Sequence, residues 1–272
     1  MSTYIIGDIH GCFYQMKYLI NNINFNSSKD TLLITGDLVS KGPYSLLVLR
    51  YLISLGNKVK IVLGNHDLHF LSVFYKIKKN NFRNNFSDIL NAPDLEIIVN
   101  WIRTRNIMYI DQKKKIIMTH AGIFPYWDLT SAFLYAKEVE NLLSGLNCAY
   151  FLKLIQGNYP CCYEKCLTKS DLYRFIVNVF TRMRYINLNK KLSFQYSNSS
   201  NFFIDYKLKP WFKLNNMRYL NNYSLFFGHW SALCGKGTPD KIYAMDTGCC
   251  WGNYLSMMRF EDNIYFSKKC VF

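Results

Sequence analysis

Five histidines occur among the 272 residues, and four of them follow short apolar runs beside a small or amide residue. The segments are Gly7-Asp8-Ile9-His10-Gly11, Gly36-Asp37, Gly64-Asn65-His66-Asp67, His120-Ala121-Gly122 and Gly228-His229. Carboxylate, amide oxygen and neutral imidazole suit a divalent Mn, Fe, Co or Zn ion rather than a soft, thiolate-bound one. A shared carboxylate can bridge two such ions about 3.5–4 Å apart, the arrangement of two-metal hydrolases. Asp8 and His10 then offer two ligands from one loop to a first ion. A second Asp bridges, and an Asn with two further His completes the second ion. The fifth histidine, His69, lies among Leu68, Phe70 and Leu71 and reads as structural.

These residues need elements that bring their segments together. Tyr4–Ile6, Thr31–Thr35 and Val59–Leu63 read as strands. Helical spacing at 13–23, at 44–55 behind Pro43, and at 68–77 alternates with them. Strand–helix alternation predicts an α/β sheet with right-handed crossovers, and ligands bind at the carboxyl ends of such strands. Later strands are predicted at 107–110, 116–119, 225–227, 242–245, 255–259 and 264–266. Residues 128–222 differ: helical stretches at 131–143 and 171–183 and the Asn/Ser-rich loop 195–201 read as an inserted helical cap within a single domain spanning 1–272.

Half of the residues are hydrophobic and 17% are aromatic, which excludes a disordered or fibrous chain. Thirty-three Lys and Arg against 18 Asp and Glu give a net charge of +15, which favours polyanionic partners. The same composition also follows from A/T-rich codons. No apolar run approaches the roughly 20 residues that span a bilayer, and no membrane association is expected. Nine cysteines without a secretory pattern imply reduced thiols in the cytoplasm. Cys161, Cys162 and Cys166 lack a second Cys/His pair at zinc-finger spacing, so no zinc site is expected there.

In order, the five segments resemble the successive motifs of the calcineurin-like metallophosphoesterases. Further stretches resemble one branch, the bacterial symmetrical diadenosine tetraphosphatases. They include 127–129 (Trp-Asp-Leu), 180–184 (Phe-Thr-Arg-Met-Arg), 208–212 (Leu-Lys-Pro-Trp-Phe), 235–239 (Gly-Lys-Gly-Thr-Pro) and 246–252 (Asp-Thr-Gly-Cys-Cys-Trp-Gly). The resemblance implies a sandwich of two mixed β-sheets flanked by helices. It implies hydrolysis of diadenosine tetraphosphate to two ADP by a metal-activated hydroxide attacking an inner phosphorus.

The resemblance also implies a role for each residue. Asp8 and His10 hold one metal, Asp37 bridges, and Asn65, His120 and His229 hold the other. His66 protonates or stabilises the leaving phosphate oxygen, with Asp67 beside it as a catalytic partner. Lys41, Arg182 and Arg184 bind the polyphosphate. Mn or Co is the expected metal, with Fe or Zn as alternatives. Trp127, Trp211, Trp230 and Trp251 are candidates to stack adenine. Two departures stand out: Ser40-Lys41-Gly42 replaces an Asp-Arg-Gly pattern of related protein phosphatases, and Asn253 replaces a frequent Gly. Lys41 turns a bidentate fork into a point charge. Competing readings are a phosphoprotein phosphatase, a decapping enzyme for nucleoside-tetraphosphate-capped RNA, and a basic nucleic-acid-binding protein with a decayed site. No obligate protein partner is expected.

Overall fold

The computed structural model describes residues 1–195, 207–214, 220 and 222–271. The chain begins β1 (Thr3–Ile6), α1 (Phe13–Asn22), β2 (Thr31–Ile34), α2 (Ser45–Ser54), β3 (Val59–Ile61) and α3 (Asn65–Phe74). α4 (Ser87–Leu90) and α5 (Leu95–Arg103) follow, then β4 (Met108–Asp111) and β5 (Ile116–Thr119). The middle holds α6 (Leu129–Ser144), α7 (Cys148–Leu154), α8 (Lys169–Arg182), β6 (Tyr185–Asn187), β7 (Leu192–Ser193) and β8 (Leu208–Pro210). β9 (Ser224–Phe227), β10 (Ile242–Ala244), β11 (Tyr254–Arg259) and β12 (Ile264–Lys269) close the chain.

Two mixed sheets form. The first has the order β12-β11-β1-β2-β3 and the second β10-β9-β5-β4. β1 runs parallel to β2, pairing Ile5 with Leu33, and antiparallel to β11, pairing Ile5 with Met258. β5 runs parallel to β9 and antiparallel to β4. The two-residue side-chain period sorts each strand onto two faces. Ile5, Leu33 and Met258 of the first sheet pack with Ile116, Met118 and Phe226 of the second in one buried cluster. Their neighbours Ile6, Leu32, Ile117 and Phe227 face the other way, into the core that includes the helices.

The helices bury one stripe each, as in Met16, Leu19 and Ile20 of α1 and Val48, Leu49 and Leu52 of α2. α3 starts at Asn65, three residues before the 68–77 pattern predicted from apolar spacing, and ends at Phe74. Hydrophobic periodicity is blind to a polar first turn. Here that turn is fixed by Asp67, whose Oδ2 accepts the Gly64 N–H at 2.9 Å. Asp128 and Thr168 cap α6 and α8 through Ser131 N–H (2.8 Å) and Asp171 N–H (3.1 Å).

Besides its helices, the 128–222 region contains a three-stranded antiparallel sheet, β7-β6-β8, which the sequence reading did not foresee. Its strands are two or three residues long, too short for a period-two pattern to register. Trp211 behind β8 is fully buried against Gly122, and the Ala121 N–H donates to Phe180 O at 2.7 Å. These contacts seat the region beside the His120 loop. Most of the predicted loop 195–201 lies outside the described residues. No helix among them is long and apolar enough to cross a membrane.

Candidate active site

Asp8, His10, Asp37, Asn65, His66 and His229 line one cavity of about 340 Å3. Each sits just past a strand of the two sheets or, for Asn65 and His66, in the first turn of α3. His120 follows β5 and is fully buried beside them. The backbone takes an unusual shape to aim these side chains. His10, Asp37 and His229 all have positive φ, at 46°, 48° and 63°. Such non-glycine conformations cost on the order of 1–3 kcal/mol each and gather where function demands them. Gly228 and Gly64 allow the closest approach: a Cβ on Gly228 would collide with the Asp8 carboxylate, and one on Gly64 with the Asp37 carboxylate.

Asp37 stands at the centre. Its Oδ2 is 3.4 Å from His10 Nε2 and 3.5 Å from His120 Nε2. It belongs to two groups of potential ligands, His10–Asp37–His66 and Asp8–Asp37–His120, with donor atoms within 4.8 Å of one another in each. His120 Nε2 also lies 3.3 Å from Asn65 Oδ1. The imidazoles are oriented from behind. His10 Nδ1 meets Val39 O at 3.1 Å and His120 Nδ1 meets Thr35 O at 2.7 Å, which turns both Nε2 atoms toward Asp37. Asp8 is held by Thr35 Oγ1 (3.1 Å) and the His229 N–H (2.8 Å).

The electrostatics are those of a site built for added positive charge. Burial, with Asp246 and Asp37 nearby, pushes the Asp8 carboxyl well above its ordinary range. Burial also raises Asp37, against the pull of His10. Burial lowers His120 to about 4 and takes His66 and His229 well below their usual value. Neutral imidazoles and crowded buried carboxylates are what divalent cations bind. Nε2 of His229 and Nδ1 of His66 are buried without a hydrogen-bond partner among the described residues. The donor set and these orphaned nitrogens fit a pair of divalent ions. The cluster is a plausible dinuclear metal centre.

Lys41, Arg182 and Arg184 line the same cavity. Arg184, between α8 and β6, donates through Nη2 to His229 O at 2.7 Å, while its buried Nε has no partner among the described residues. Arg182 ends α8, bonded to Asn158 Oδ1 (2.9 Å) and Asn178 Oδ1 (3.0 Å) and lying 4.8 Å above the Phe194 ring. Lys41 Nζ lies 5.4 Å from the Trp251 ring centre.

Asp67 departs from the expectation of a catalytic partner for His66. It is fully buried, does not line the cavity, and accepts the Leu38 N–H and the Gly64 N–H, both at 2.9 Å. Burial raises it to about 8. Its carboxylate ties the loop after β2 to the start of α3, because position N3 of a helix points back at its own N-terminus. Of the four candidate stacking tryptophans, Trp127, Trp211 and Trp230 are buried, whereas Trp251 is 63% exposed and lines the cavity.

The site reading missed Asp246. It is buried, lines the cavity beside Asp8 and is raised to about 6 by burial. It follows β10 by two residues, the same strand-end signal that marked the candidate ligands. Cys161, Cys162 and Cys166 form no potential metal group among the described residues. A buried trio, Cys12, Cys249 and Cys270, does gather, from segments that sequence distance had kept apart.

The calcineurin-like phosphoesterase family matches residues 1–251. A symmetrical bis(5'-nucleosyl)-tetraphosphatase of Proteus mirabilis (strain HI4320) is 47% identical over 98% of this chain and 97% of its own. One of Buchnera aphidicola subsp. Schizaphis graminum (strain Sg) is 46% identical over the same shares. A crystal structure provisionally assigned as a diadenosine tetraphosphatase covers 99% of this chain and 94% of its own, with a TM-score of 0.64 at 22% identity, and supports the fold.

Proposed function

The chain belongs to the calcineurin-like phosphoesterase family, and on that premise we propose that it hydrolyses diadenosine tetraphosphate symmetrically into two ADP. Near full-length identity of 45–47% to symmetrical tetraphosphatases supports the substrate. The observation that supports the chemistry is Asp37, shared between two groups of potential ligands in a cavity also lined by Lys41, Arg182 and Arg184.

Asp8, His10, Asp37, Asn65, His120 and His229 would hold two divalent cations, with Mn or Co the expected ions. Such ions, when bound, supply Lewis acidity that lowers the pKa of water and neutralises phosphoryl charge. The protein's own groups do the rest. Arg184, held by His229 O, and Arg182, held by two asparagines, keep their guanidinium groups toward the polyphosphate. Lys41 adds a point charge. Water attacks one inner phosphorus, the bond to the central bridging oxygen breaks, and ADP departs. His66, kept neutral by burial, is the group assigned to donate an N–H hydrogen bond to that oxygen as charge develops on it. Trp251 offers its exposed face to one adenine.

Incubating the purified protein with diadenosine tetraphosphate and Mn2+ or Co2+ tests the reading. ADP as the sole nucleotide product is expected; ATP plus AMP overturns symmetric cleavage. The +15 charge favours a second substrate, RNA bearing a nucleoside-tetraphosphate cap. Release of the cap nucleotide from such RNA checks it. Nine free thiols suit a reducing, cytoplasmic setting.

A further inference from the structure

A second cavity, of about 450 Å3, shares three wall residues with the first: Asn65, His66 and Arg182. Trp251 lines the first cavity and not the second. We propose that this second cavity seats one nucleoside end of the substrate, a purine base with its ribose, while the polyphosphate crosses the metal ligands. This inference rests on the function proposed above.

Three observations carry it. The first is position. Symmetric cleavage places a nucleoside and two phosphates on each side of the breaking bond, so the two nucleosides require separate seats. The second cavity meets the first at Asn65, His66 and Arg182, and Trp251 is not among its wall residues. The second is size, which falls within the range of pockets that enclose small ligands.

The third is chemistry. No carboxylate lines the second cavity, so nothing there repels the anionic tail of a nucleotide. Leu68, Ile155 and Val177 supply apolar surface for a base. Polar groups around them are already oriented. Gln156 Nε2 donates to Leu152 O at 2.6 Å and Ser72 Oγ at 3.4 Å, so Oε1 is the acceptor it offers to an exocyclic amine. Asn84 Nδ2 donates to His69 Nε2 at 3.0 Å, which leaves Nδ1–H as the donor of that ring. His69, whose apolar neighbours suggested a structural role, thus has a place in the wall of this cavity.

Gln156→Trp, which fills the cavity from its wall, tests the proposal, with Asn84→Ala as a milder variant should the first not fold. The KM for diadenosine tetraphosphate is expected to rise about tenfold or more in Gln156→Trp and less in Asn84→Ala, with kcat changing by less than about threefold. Inhibition by linear inorganic tetraphosphate, which lacks a nucleoside, should stay as in the wild type. An unchanged KM in folded Gln156→Trp overturns the proposal. So does a parallel weakening of inorganic tetraphosphate, which would place the damage at the phosphate site. The wild type separates the two levels: if it yields no ADP, the function fails and this seat with it. If it yields ADP while the variants keep their KM, only the seat fails.

Discussion

The Asp37 carboxylate accepts the backbone N–H of His66 at 2.8 Å through Oδ1 and turns Oδ2 toward His10 and His120. One oxygen therefore fixes the start of α3, and the other is left to the ligand cluster. Asp37→Asn keeps the first contact and weakens the second. Its turnover should fall by about 10²–10³-fold or more while the circular dichroism spectrum stays native. Normal activity in that variant rules out a bridging role, and metal content measured alongside shows which ions are lost.

His66 sits within reach of His10 and Asp37, so it is placed either to assist the leaving group or to bind metal. His66→Ala should cut kcat by about 10²–10³-fold, the usual span for a lost hydrogen-bond donor to a developing oxyanion, with a much smaller loss of bound metal. Loss of metal in proportion to activity would make His66 a ligand.

Lys41→Arg restores a fork where the chain has a point charge beside Trp251. Activity should rise or stay level. A large drop would show that the cavity is shaped around the lysine.

Gly228→Ala tests the close packing behind Asp8. The new methyl would collide with the Asp8 carboxylate, so the backbone must move. Both metal content and melting temperature are expected to fall, by at least about 1 kcal/mol in stability. A native melting temperature with full metal content contradicts the packing.

Metal removal exposes a pH dependence of stability. Without metal, burial holds the proton on Asp67 up to about 8, against 3.8 when unfolded, while the buried histidines, lowered to about 4 at His120, are neutral in both states above about 7. Above about 7 the folded state therefore binds more protons than the unfolded chain. Stability of chelator-treated protein should fall as pH rises from about 7 to about 8. Adding Mn2+ should stabilise more at the higher pH, because its ligands bind deprotonated. Urea unfolding midpoints at the two values, with and without Mn2+, check the sign.

The candidate ligands were legible in the chain because their chemistry is local. Asp8, His10, Asp37, Asn65, His120 and His229 each stand at a strand end or helix start, where a turn exposes a short side chain. The alternating α/β pattern was legible for the same reason, since burial of a helix stripe or strand face imposes a period on neighbouring residues. What only the tertiary structure decided was direction and company. Asp67 is adjacent to His66 in sequence, yet its carboxylate turns inward to backbone N–H groups, because helix geometry points the third residue back at the first turn. Trp251 was singled out from its buried counterparts by exposure alone, a property of packing rather than of residue type. Asp246 and the second cavity arise from segments far apart in sequence, brought together by a fold whose long-range pairings no local pattern encodes.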